Sequence, residues 1–527
     1  MNGESRTALL AGEVLGARPP AERLVALRQQ PLALVLAPAL AGTWRGQVML
    51  LAAATLVGRL FDYVPNIRID ASGARALPGL PRLRAGEPLA EQIVAHLASL
   101  PRRDAPYRYE AATAPVRARR ALVIGDAVAD ADETIHVDGG DWIAALGSRP
   151  PRLELGAAPE QSPFGPLMAA GLGAAEIARR VFGSLAPAPR PELSAPLAER
   201  FIWDLWTHDM GDAAPDPGAT MPRPLPRPRL GRVMVVGLGA LGAAAVWALA
   251  HLSAASGEIT LVDDDRLERT NVERVLGATR GDLRRAKVDI AARTLAATRL
   301  ETRTVRERFG AWLPRNVPAR TLLVGVDSGE ARRQIARLRP QAVYNGGTQA
   351  SEFLVSRHVG EDGPCLECLY PDVPDPVGRT ARRLGVDRAT AAALLGGARR
   401  IDAEVLDAMR RRGGVRFRDV DAAALLGQPV AALEAGVCSR AVVIDDLPEA
   451  SVSFTAALCG FLMAAELVKD RVGIARSTPL DAERPVFRAD PLLAPVSSAS
   501  IEAYRARRGC PCGRRRPQAG GPIEHEG

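Results

Sequence analysis

Hydrophobic positions in the second half of the chain alternate between short apolar runs and helical patterns. GRVMVVGLGALG, from Gly231, is a β-branched apolar run that leads into a glycine-rich loop, and an alanine- and leucine-rich helical pattern follows as far as His251. EITLVDDD, from Glu258, reads as the next strand, and further strands are predicted at 303–306, 321–326 and 341–345. Strands that alternate with helices predict an α/β domain with a Rossmann-like, mostly parallel sheet.

The first half has a weaker version of the same order. Strands are predicted in PLALVLAP, at 66–70 and in RRALVIGDA, with helices at 44–60 and 89–100. A small-residue helix from Gly165 resembles the one from Ser451, since each carries a glutamate near its end. This half is predicted to be a second α/β domain and a degenerate copy of the other. The alternative is an unrelated α/β domain with an alanine-rich helix. Its loop APALAGTWRG lacks the glycine spacing that lets a phosphate approach, so we expect no nucleotide there.

Composition narrows the classes of function. A chain of 527 residues with 47% hydrophobic content predicts two or three domains with real cores. The net charge of +8 is spread along the chain and aromatic residues make up only 4%, which disfavours nucleic-acid binding. The apolar runs are too short to span a membrane and the N-terminus does not resemble a signal peptide, so a cytoplasmic location is expected.

Lysine is rare in this chain. Only Lys287 and Lys469 are lysines among the 68 basic Lys and Arg residues. Arginine is a planar fork, whereas lysine is a compact point charge that can reach between phosphates. A retained lysine is therefore a candidate for a role that arginine cannot fill.

The loop from Gly237 has the spacing of a nucleotide-binding loop. Gly237, Gly239 and Gly242 form G-x-G-x-x-G directly after a strand and at the start of a helix, where the helix N-terminus favours a phosphate. Asp263 ends the next strand, where an acidic residue accepts ribose hydroxyls. The alternative for this loop is a structural glycine turn.

A set of charged residues after this loop favours nucleotidyl transfer over hydride transfer. The set consists of Asp263 to Asp265, Asn271, Arg274, Lys287 and Asp327. Transfer of AMP to a carboxylate brings a triphosphate, a metal ion and a carboxylate together, so the site needs cations for the phosphates and a carboxylate for the metal. Arg274 and Lys287 can supply the cations and Asp327 the carboxylate.

Residues 233 to 345 resemble the ThiF/MoeB family, which includes the adenylation domains of ubiquitin-activating enzymes. The resemblance rests on the glycine loop, the D-x-D of Asp263 and Asp265, the N-x-x-R of Asn271 and Arg274, the lysine, and Asp327 with Arg332 five residues on. It implies that Asp263 holds ribose, that Asn271, Arg274 and Lys287 contact the phosphates of ATP, and that Asp327 binds Mg²⁺. It also implies an arginine supplied by a partner subunit or pseudo-subunit, which the sequence does not locate.

Four cysteines form two pairs far apart in the sequence. Cys365 and Cys368 make a C-x-x-C followed by Tyr370, and Cys510 and Cys512 make a C-x-C near the end of the chain. Four thiolates suit a tetrahedral zinc site. The resemblance agrees, since many family members hold zinc with two such pairs, although their second pair is more often C-x-x-C. The alternative is unmetallated surface thiols.

Cys438, in EAGVCSR, is the candidate nucleophile. It lies between the C-x-x-C and the helix that contains Glu466, comparable to the cysteine of family members that form a thioester, and Arg440 could favour its thiolate. The alternative is a buried structural thiol. Cys459, on an apolar helix face, is predicted to be a core residue.

Together, these sequence patterns predict five segments and one main activity. The segments are an α/β domain expected to be adenylation-like and inactive (1–211), a proline-rich linker (212–229), an ATP-binding adenylation domain (230–370), a helical insertion (371–440), and the domain's end with a zinc-binding tail (441–527). The predicted activity is adenylation of the C-terminus of a ubiquitin-like or sulfur-carrier protein, followed by thioester transfer to Cys438, with a downstream conjugating enzyme as a further candidate partner. A homodimer or an internal pseudo-dimer is expected. The rival functions are a nicotinamide-dependent oxidoreductase and a non-catalytic partner-binding scaffold.

Overall fold

A computed structural model describes most of the chain. The structure describes every residue except 1–5, 16–18, 72, 101–106, 113–116, 154–161, 188–189, 214–226, 253, 270, 313–320, 350, 361–362, 372–375, 412–414, 418–424, 431–441, 445–451, 473–479, 493–498, 508–509, 511 and 513–527.

The first half contains an eight-stranded sheet. Its strands are β1 (Leu32–Leu36), β2 (Asn66–Asp70), β3 (Arg108–Ala111), β4 (Ala118–Ile124), β5 (Ala131–Gly140), β6 (Ile143–Gly147), β7 (Phe201–Asp204) and β8 (Met210–Gly211). Its helices are α1 (Arg6–Leu15), α2 (Ala21–Gln29), α3 (Pro38–Ala41), α4 (Trp44–Val57), α5 (Leu89–Ser99), α6 (Phe164–Leu185) and α7 (Pro191–Ser194).

The second half contains another eight-stranded sheet and a small two-stranded one. Its strands are β9 (Arg229–Val236), β10 (Ser256–Val262), β11 (Arg299–Val305), β12 (Thr321–Val324), β13 (Ala342–Gln349), β14 (Glu352–Val359), β15 (Val415–Phe417), β16 (Val442–Ile444), β17 (Val486–Ala489) and β18 (Ser500–Glu502). Its helices are α8 (Ala240–Leu249), α9 (Lys287–Leu295), α10 (Phe309–Trp312), α11 (Gly329–Arg337), α12 (Leu366–Leu369), α13 (Pro376–Leu384), α14 (Arg388–Leu395), α15 (Ala403–Arg411) and α16 (Ser453–Arg471).

The two large sheets have the same strand order. The first runs β3-β2-β1-β4-β5-β6-β7-β8 and the second β11-β10-β9-β12-β13-β14-β17-β18. In each, the first five strands of this order are parallel and the remaining pairings are antiparallel. The prediction of two α/β domains with mostly parallel sheets is confirmed, and the shared strand order is what a degenerate copy would have.

One crossover differs between the halves. In the second half α11 connects the parallel strands β12 and β13, but residues 125–130, all of which the structure describes, connect β4 to β5 without a helix. Ala127 and Ala129 of this connection pack against an alanine- and valine-rich face of the first sheet that includes Val35 and Val123. Small side chains therefore cover a face that a helix would otherwise bury.

The two halves share one hydrophobic core, centred on α6 and α16. Along the chain, α6 lies between β6 and β7, and α16 lies between β14 and β17. The two helices therefore have corresponding positions in their halves, as the similarity of their sequences predicted. A Cβ on Gly171 of α6 would lie 2.7 Å from Leu458 of α16, and one on Gly460 would lie 2.5 Å from the Cβ of Ala244 in α8. Glycine at these positions lets the helix backbones approach closely.

A buried polar cluster also joins the halves. His208, in the turn before β8, places Nε2 2.9 Å from Glu466 and 3.3 Å from the ammonium of Lys469. Glu466 also accepts from Lys469. Burial raises the pKa of Glu466, but the two partners outweigh it and hold that pKa at about 2. The second of the chain's two lysines therefore completes a contact between the halves.

Helices α13, α14 and α15 form the start of the segment expected to be an insertion. They have a small apolar cluster of their own, which includes Leu384, Leu394 and Met409. The five-segment division itself stays a prediction. Within the residues described, none of the helices is both apolar enough and long enough to cross a bilayer.

Candidate active site

The glycine loop lies where the order of the second sheet reverses, between β9 and its neighbours β10 and β12. Gly237 has φ +81°, and a Cβ there would lie 2.9 Å from Val326 and 3.0 Å from Gly325. A Cβ on Gly242 would lie 1.9 Å from the carbonyl oxygen of Gly237. These two glycines are required by the turn itself.

Gly239 has a different environment. It caps the N-terminus of α8, and a Cβ at this position would meet no atom within 4 Å. Open space at a helix N-terminus, beside backbone N–H groups, is the arrangement that accepts a phosphate. The loop therefore fits a nucleotide as well as it fits a structural turn.

Asp263 is hydrogen-bonded directly to the glycine loop. Its Oδ2 accepts from the backbone N–H of Leu238 at 2.5 Å and its Oδ1 accepts from that of Asp265 at 2.8 Å. Burial raises the pKa of Asp263, while the charge of Lys287 and these two hydrogen bonds oppose the shift. The carboxylates of Asp263, Asp264 and Asp265 lie within 4.8 Å of one another, which also suits a cation.

Lys287 lies beside this carboxylate group. It is the first residue of α9 and only 6% exposed, and its ammonium lies 2.6 Å from Oδ2 of Asp265. Its backbone N–H also donates to the carbonyl of Asp265 at 3.0 Å. The structure thus brings together the glycine loop, Asp263, Asp265 and Lys287.

Asn271 and Arg274 lie on the turn between β10 and α9. The apolar residues of this turn, Val272 and Val275, belong to a buried cluster with Ala243 of α8. Packing of these valines sets the turn against the helix that follows the glycine loop, and leaves Asn271 and Arg274 half-buried. Asn271 accepts the backbone N–H of Glu268 at 3.0 Å, which closes the turn.

Asp327 is exposed and follows β12, whose last residue Val324 pairs with Val236 immediately before the glycine loop. Its carboxylate is therefore on the same edge of the sheet as the loop. An exposed carboxylate beside a phosphate-binding loop is a suitable magnesium ligand. The predicted strand ran to residue 326, immediately before Asp327, whereas β12 ends at Val324. The role of Asp327 stays a prediction.

Arg332 has a structural environment that the sequence did not predict. It is buried, stacks over the ring of Tyr370 at 4.3 Å, and donates to Asn345 at 3.0 Å and to the carbonyl of Gly346 at 3.0 Å. Its contact with Asp327 is to the backbone carbonyl, at 3.4 Å. Arg332 thus links the loop after β12 to β13. No sequence spacing signals this pairing, because Asn345 and Tyr370 carry no motif.

The first half has backbone contacts that match those of this site, but the residues at the positions of Lys287 and Asp265 are uncharged. Arg75 and Pro88 form an isolated antiparallel β-bridge, as Arg266 and Ala286 do in the second half. The N–H of Leu89 donates to Ala74 at 2.9 Å, as that of Lys287 does to Asp265. Leu89 and Ala74 therefore occupy the positions of the lysine and its carboxylate.

The start of α4 is also unsuited to a phosphate. Arg45, in its first turn, forms an ion pair with the buried Asp138 at 3.2 Å. This ion pair lies where the second half has an open helix N-terminus. The expectation of no nucleotide in the first half stays a prediction.

The four cysteines of the two pairs meet in one cluster. Their Sγ atoms lie within 4.8 Å of one another, with 3.6 Å between Cys365 and Cys510 and 3.4 Å between Cys368 and Cys512. Four sulfurs at about 2.3 Å from a tetrahedral zinc would be separated by about 3.8 Å, so the cluster fits the ion. Cys368 also accepts the backbone N–H of Arg507 at 3.3 Å, which favours its thiolate.

Burial raises the pKa values of Cys365, Cys510 and Cys512 to about 11. For Cys368 burial acts in the same direction, but hydrogen bonds from Arg507 and from neighbouring thiols outweigh it and lower the pKa. These shifts describe the cluster without a metal, and a zinc ion would favour all four thiolates.

The two remaining cysteines are Cys459 and Cys438. Cys459 is fully buried, donates to the carbonyl of Leu354 at 3.3 Å, and has a pKa raised to about 12 by burial. It is a core thiol, as expected. Cys438 and Arg440 lie outside the described residues, so the nucleophile stays a prediction.

Comparison with known proteins gives one family and two relatives. The model of the ThiF family matches residues 227–508. The uncharacterized protein y4jF of Sinorhizobium fredii is 27% identical over 371 residues, which are 65% of this chain and 66% of that protein. The SAMP-activating enzyme E1 of Haloferax volcanii is 31% identical over 161 residues, or 28% of this chain and 55% of that enzyme. The match spans less than two thirds of either relative.

Solved structures of E. coli MccB are also similar. The complex with ATP is 16% identical with a TM-score of 0.35, covering 54% of this chain and 67% of the MccB chain. The succinimide form is 14% identical, also with a TM-score of 0.35, covering 54% of this chain and 66% of the MccB chain.

Proposed function

Because this chain belongs to the ThiF family, we propose that it uses ATP and Mg²⁺ to adenylate the C-terminal carboxylate of a small ubiquitin-like or sulfur-carrier protein. The relative whose name describes an activating enzyme supports this direction. A downstream conjugating enzyme is a further candidate partner.

One observation supports the proposal most strongly: carboxylates and a nearly buried lysine lie beside the glycine loop. Asp263 binds the loop's backbone, Lys287 pairs with Asp265 beside it, and Asp327 follows the neighbouring strand. A hydride-transfer site has no need for a buried lysine and a metal-binding carboxylate at this place. Adenylation needs both, because it must neutralise a triphosphate while a carboxylate approaches.

The first step forms a mixed anhydride. A carboxylate oxygen of the substrate attacks the α-phosphorus of ATP, the bond from that phosphorus to the bridging oxygen breaks, and pyrophosphate leaves. In this proposal the N–H groups at the start of α8 and the Gly237 loop hold phosphate oxygens, and Asp263 accepts the ribose hydroxyls. Arg274 and Lys287 would neutralise the charge of the departing pyrophosphate, Asn271 would contact a phosphate oxygen through its amide N–H, and Asp327 would hold the magnesium ion.

The second step is transfer of the acyl group to a thiol. The thiolate of Cys438 would attack the acyl carbon, AMP would leave with its electron pair, and a thioester would form. The carrier therefore ends either as an adenylate or as a thioester on this chain. The zinc site takes no part in either step in this proposal.

Exchange of labelled pyrophosphate into ATP tests the first step. A carrier protein ending in Gly-Gly should support exchange, and the same carrier with its last glycine removed should not. Absence of exchange with every carrier, together with binding of a nicotinamide nucleotide, would favour the oxidoreductase instead.

Asp327→Asn should abolish most of this exchange while ATP still binds. The neutral amide keeps the size of the side chain but loses the charge that holds magnesium, and a loss of about 100-fold is expected. ATP affinity measured calorimetrically without magnesium should change little. The matched control is Asp289→Asn, which removes the ion pair between Asp289 of α9 and the exposed side chain of Arg306. This variant should retain exchange. Wild-type exchange in Asp327→Asn would remove the metal role.

Cys438→Ala should separate the two steps. It should support pyrophosphate exchange at the wild-type rate and form no reductant-sensitive conjugate with the carrier on a gel. Cys459→Ala should form the conjugate, because that thiol lies in the core and its loss costs only packing. A wild-type protein that exchanges pyrophosphate but never shows a conjugate would leave Cys438 without a catalytic role.

A further inference from the structure

Two arginines of the first half bind the turn that carries Asn271 and Arg274 in the second. Arg59, just after α4, donates through Nη1 to the carbonyl of Val272 at 2.6 Å and through Nη2 to that of Ala278 at 3.0 Å. Arg82 donates to the carbonyl of Gly277 in the same turn. Three backbone carbonyls of one turn therefore receive guanidinium donors from the other half.

Arg59 is unusual in its burial. It is 1% exposed, and it heads the largest fully buried side chains among the described residues. Burial and the charge of Arg82 lower the pKa of Arg59 to about 9, partly offset by the charge of Glu273 on the turn itself. The side chain is thus cationic at neutral pH, and desolvating it is unfavourable unless its donors find acceptors.

The contacts of Arg59 are suited to setting the shape of the turn. Its two Nη atoms bind carbonyls six residues apart in sequence, one before and one after Arg274, so the planar fork holds both ends of the turn at once. The other face of the turn packs on Ala243 of α8 through Val272 and Val275. Residues of this turn are therefore fixed between the first half and the helix that follows the glycine loop.

We propose that Arg59, assisted by Arg82, is a positioning residue that holds Asn271 and Arg274 in place for the phosphates of ATP. This inference rests on the proposed function. It gives the first half, which lacks the charges of a nucleotide site, a role in the site of the second half. Arg59 itself touches no substrate atom in this scheme.

Arg59→Met tests the inference because methionine keeps much of the length and none of the donors. The kcat/KM for ATP in pyrophosphate exchange should fall by on the order of 100-fold, the size of loss that follows a small displacement of phosphate-contacting groups. Hydrogen exchange of the backbone amides in 271–278 should become faster, while exchange in α6 and α16 stays unchanged. Wild-type protection of 271–278 in this variant would overturn the proposal.

Arg59→Lys separates positioning from charge. A single ammonium cannot contact both carbonyls, so the activity of this variant should stay close to that of Arg59→Met. Full recovery of exchange with lysine would mean that only a positive charge is needed, and would overturn the bridging role.

The matched control lies within the first half. Arg179 is also buried, and it also donates to backbone carbonyls, those of Glu192, Leu193 and Ala195, but it contacts nothing in the turn. The double variant Glu176→Gln with Arg179→Met avoids leaving a buried carboxylate that has lost one of its two arginine partners and keeps only Arg180. It should lower the unfolding midpoint and leave the kcat/KM for ATP of the remaining folded protein unchanged. A kcat/KM that falls as much as in Arg59→Met would show a general effect of destabilisation and overturn the proposal.

Failure of the proposed function has a different signature. In that case the wild-type chain itself neither binds ATP nor exchanges pyrophosphate. If the wild type does both and Arg59→Met matches it, only the positioning role is wrong.

Discussion

Lys287→Arg should lower the kcat/KM of pyrophosphate exchange by about 100-fold although the charge is kept. Lys287 is 6% exposed at the first position of α9, with its ammonium 2.6 Å from Asp265. That position is adjacent to Asp263 and through it to the glycine loop. A guanidinium is larger and planar, so it cannot place its charge where a compact ammonium reaches between phosphates.

The surroundings of Lys287 explain why arginine has not replaced it. Asp265 is exposed and can release the ammonium toward a bound nucleotide, whereas the buried aliphatic part of the lysine is packed at the helix start. Arginine at this place would be expected to remain paired with Asp265 in a bidentate contact. The fold should be retained, since the first half has Leu89 at the corresponding position and still forms α5.

Arg306→Lys is the control for a conservative exchange next to the same helix, since Arg306 follows β11 and pairs with a residue of α9. Arg306 is 60% exposed in its side chain and pairs with Asp289 of α9, so this variant should exchange pyrophosphate like the wild type. Wild-type exchange in Lys287→Arg would remove this lysine from the proposed phosphate site.

One zinc ion per chain should be found after purification under reducing conditions without chelators. Cys365→Ser combined with Cys368→Ser should lose it, and the midpoint of thermal unfolding should fall by about 10 °C. The physical reason is the distance in sequence between the two pairs. The cluster ties the tail after β18 back to α12, and β18 itself is held only at the sheet edge by β17.

Cys459→Ala distinguishes metal loss from a general loss of stability. This variant removes a buried thiol from the core and should lower stability, yet keep one zinc per chain. Metal analysis by mass spectrometry and a melting curve on the same samples make the comparison. A metal-free wild type under these conditions contradicts the four-cysteine site.

Much of the fold followed from local sequence patterns. The strand from Asn66 to Asp70 was predicted with its observed bounds, and the helix predicted at 44–60 is α4, which ends at Val57. The strand predicted at 341–345 is longer, because β13 continues to Gln349 through Gly346 and Gly347. Glycines in a predicted strand usually signal its end, but here β14 pairs with them and Leu354 lies opposite Gly347.

The site could be predicted only in part, because sequence patterns indicate contacts between residues that are close along the chain and not those between distant residues. Motif spacing identified the glycine loop and Lys287, because strand, loop and helix follow one another along the chain. Arg59 gave no signal, since it is one arginine among many and its acceptors are backbone carbonyls more than 200 residues away. Arg332 was noticed for its spacing from Asp327, but its burial over Tyr370 depends on the packing of α11 and α12.

By itself the sequence determined the alternation of strands and helices around the glycine loop, the glycine loop with its charged residues, and the two cysteine pairs. These depend on side-chain periodicity and on residues close together in the chain, which act before any tertiary contact forms. Only the tertiary structure decided that the halves share one strand order, that four distant sulfurs meet, and that the first half binds the Asn271 turn of the second. The last of these contacts arises because α6 and α16 pack into one core and bring the two halves together, so that a buried donor of the first half meets backbone acceptors of the second. The sulfurs meet because β18 pairs with β17 and the tail that follows it reaches α12.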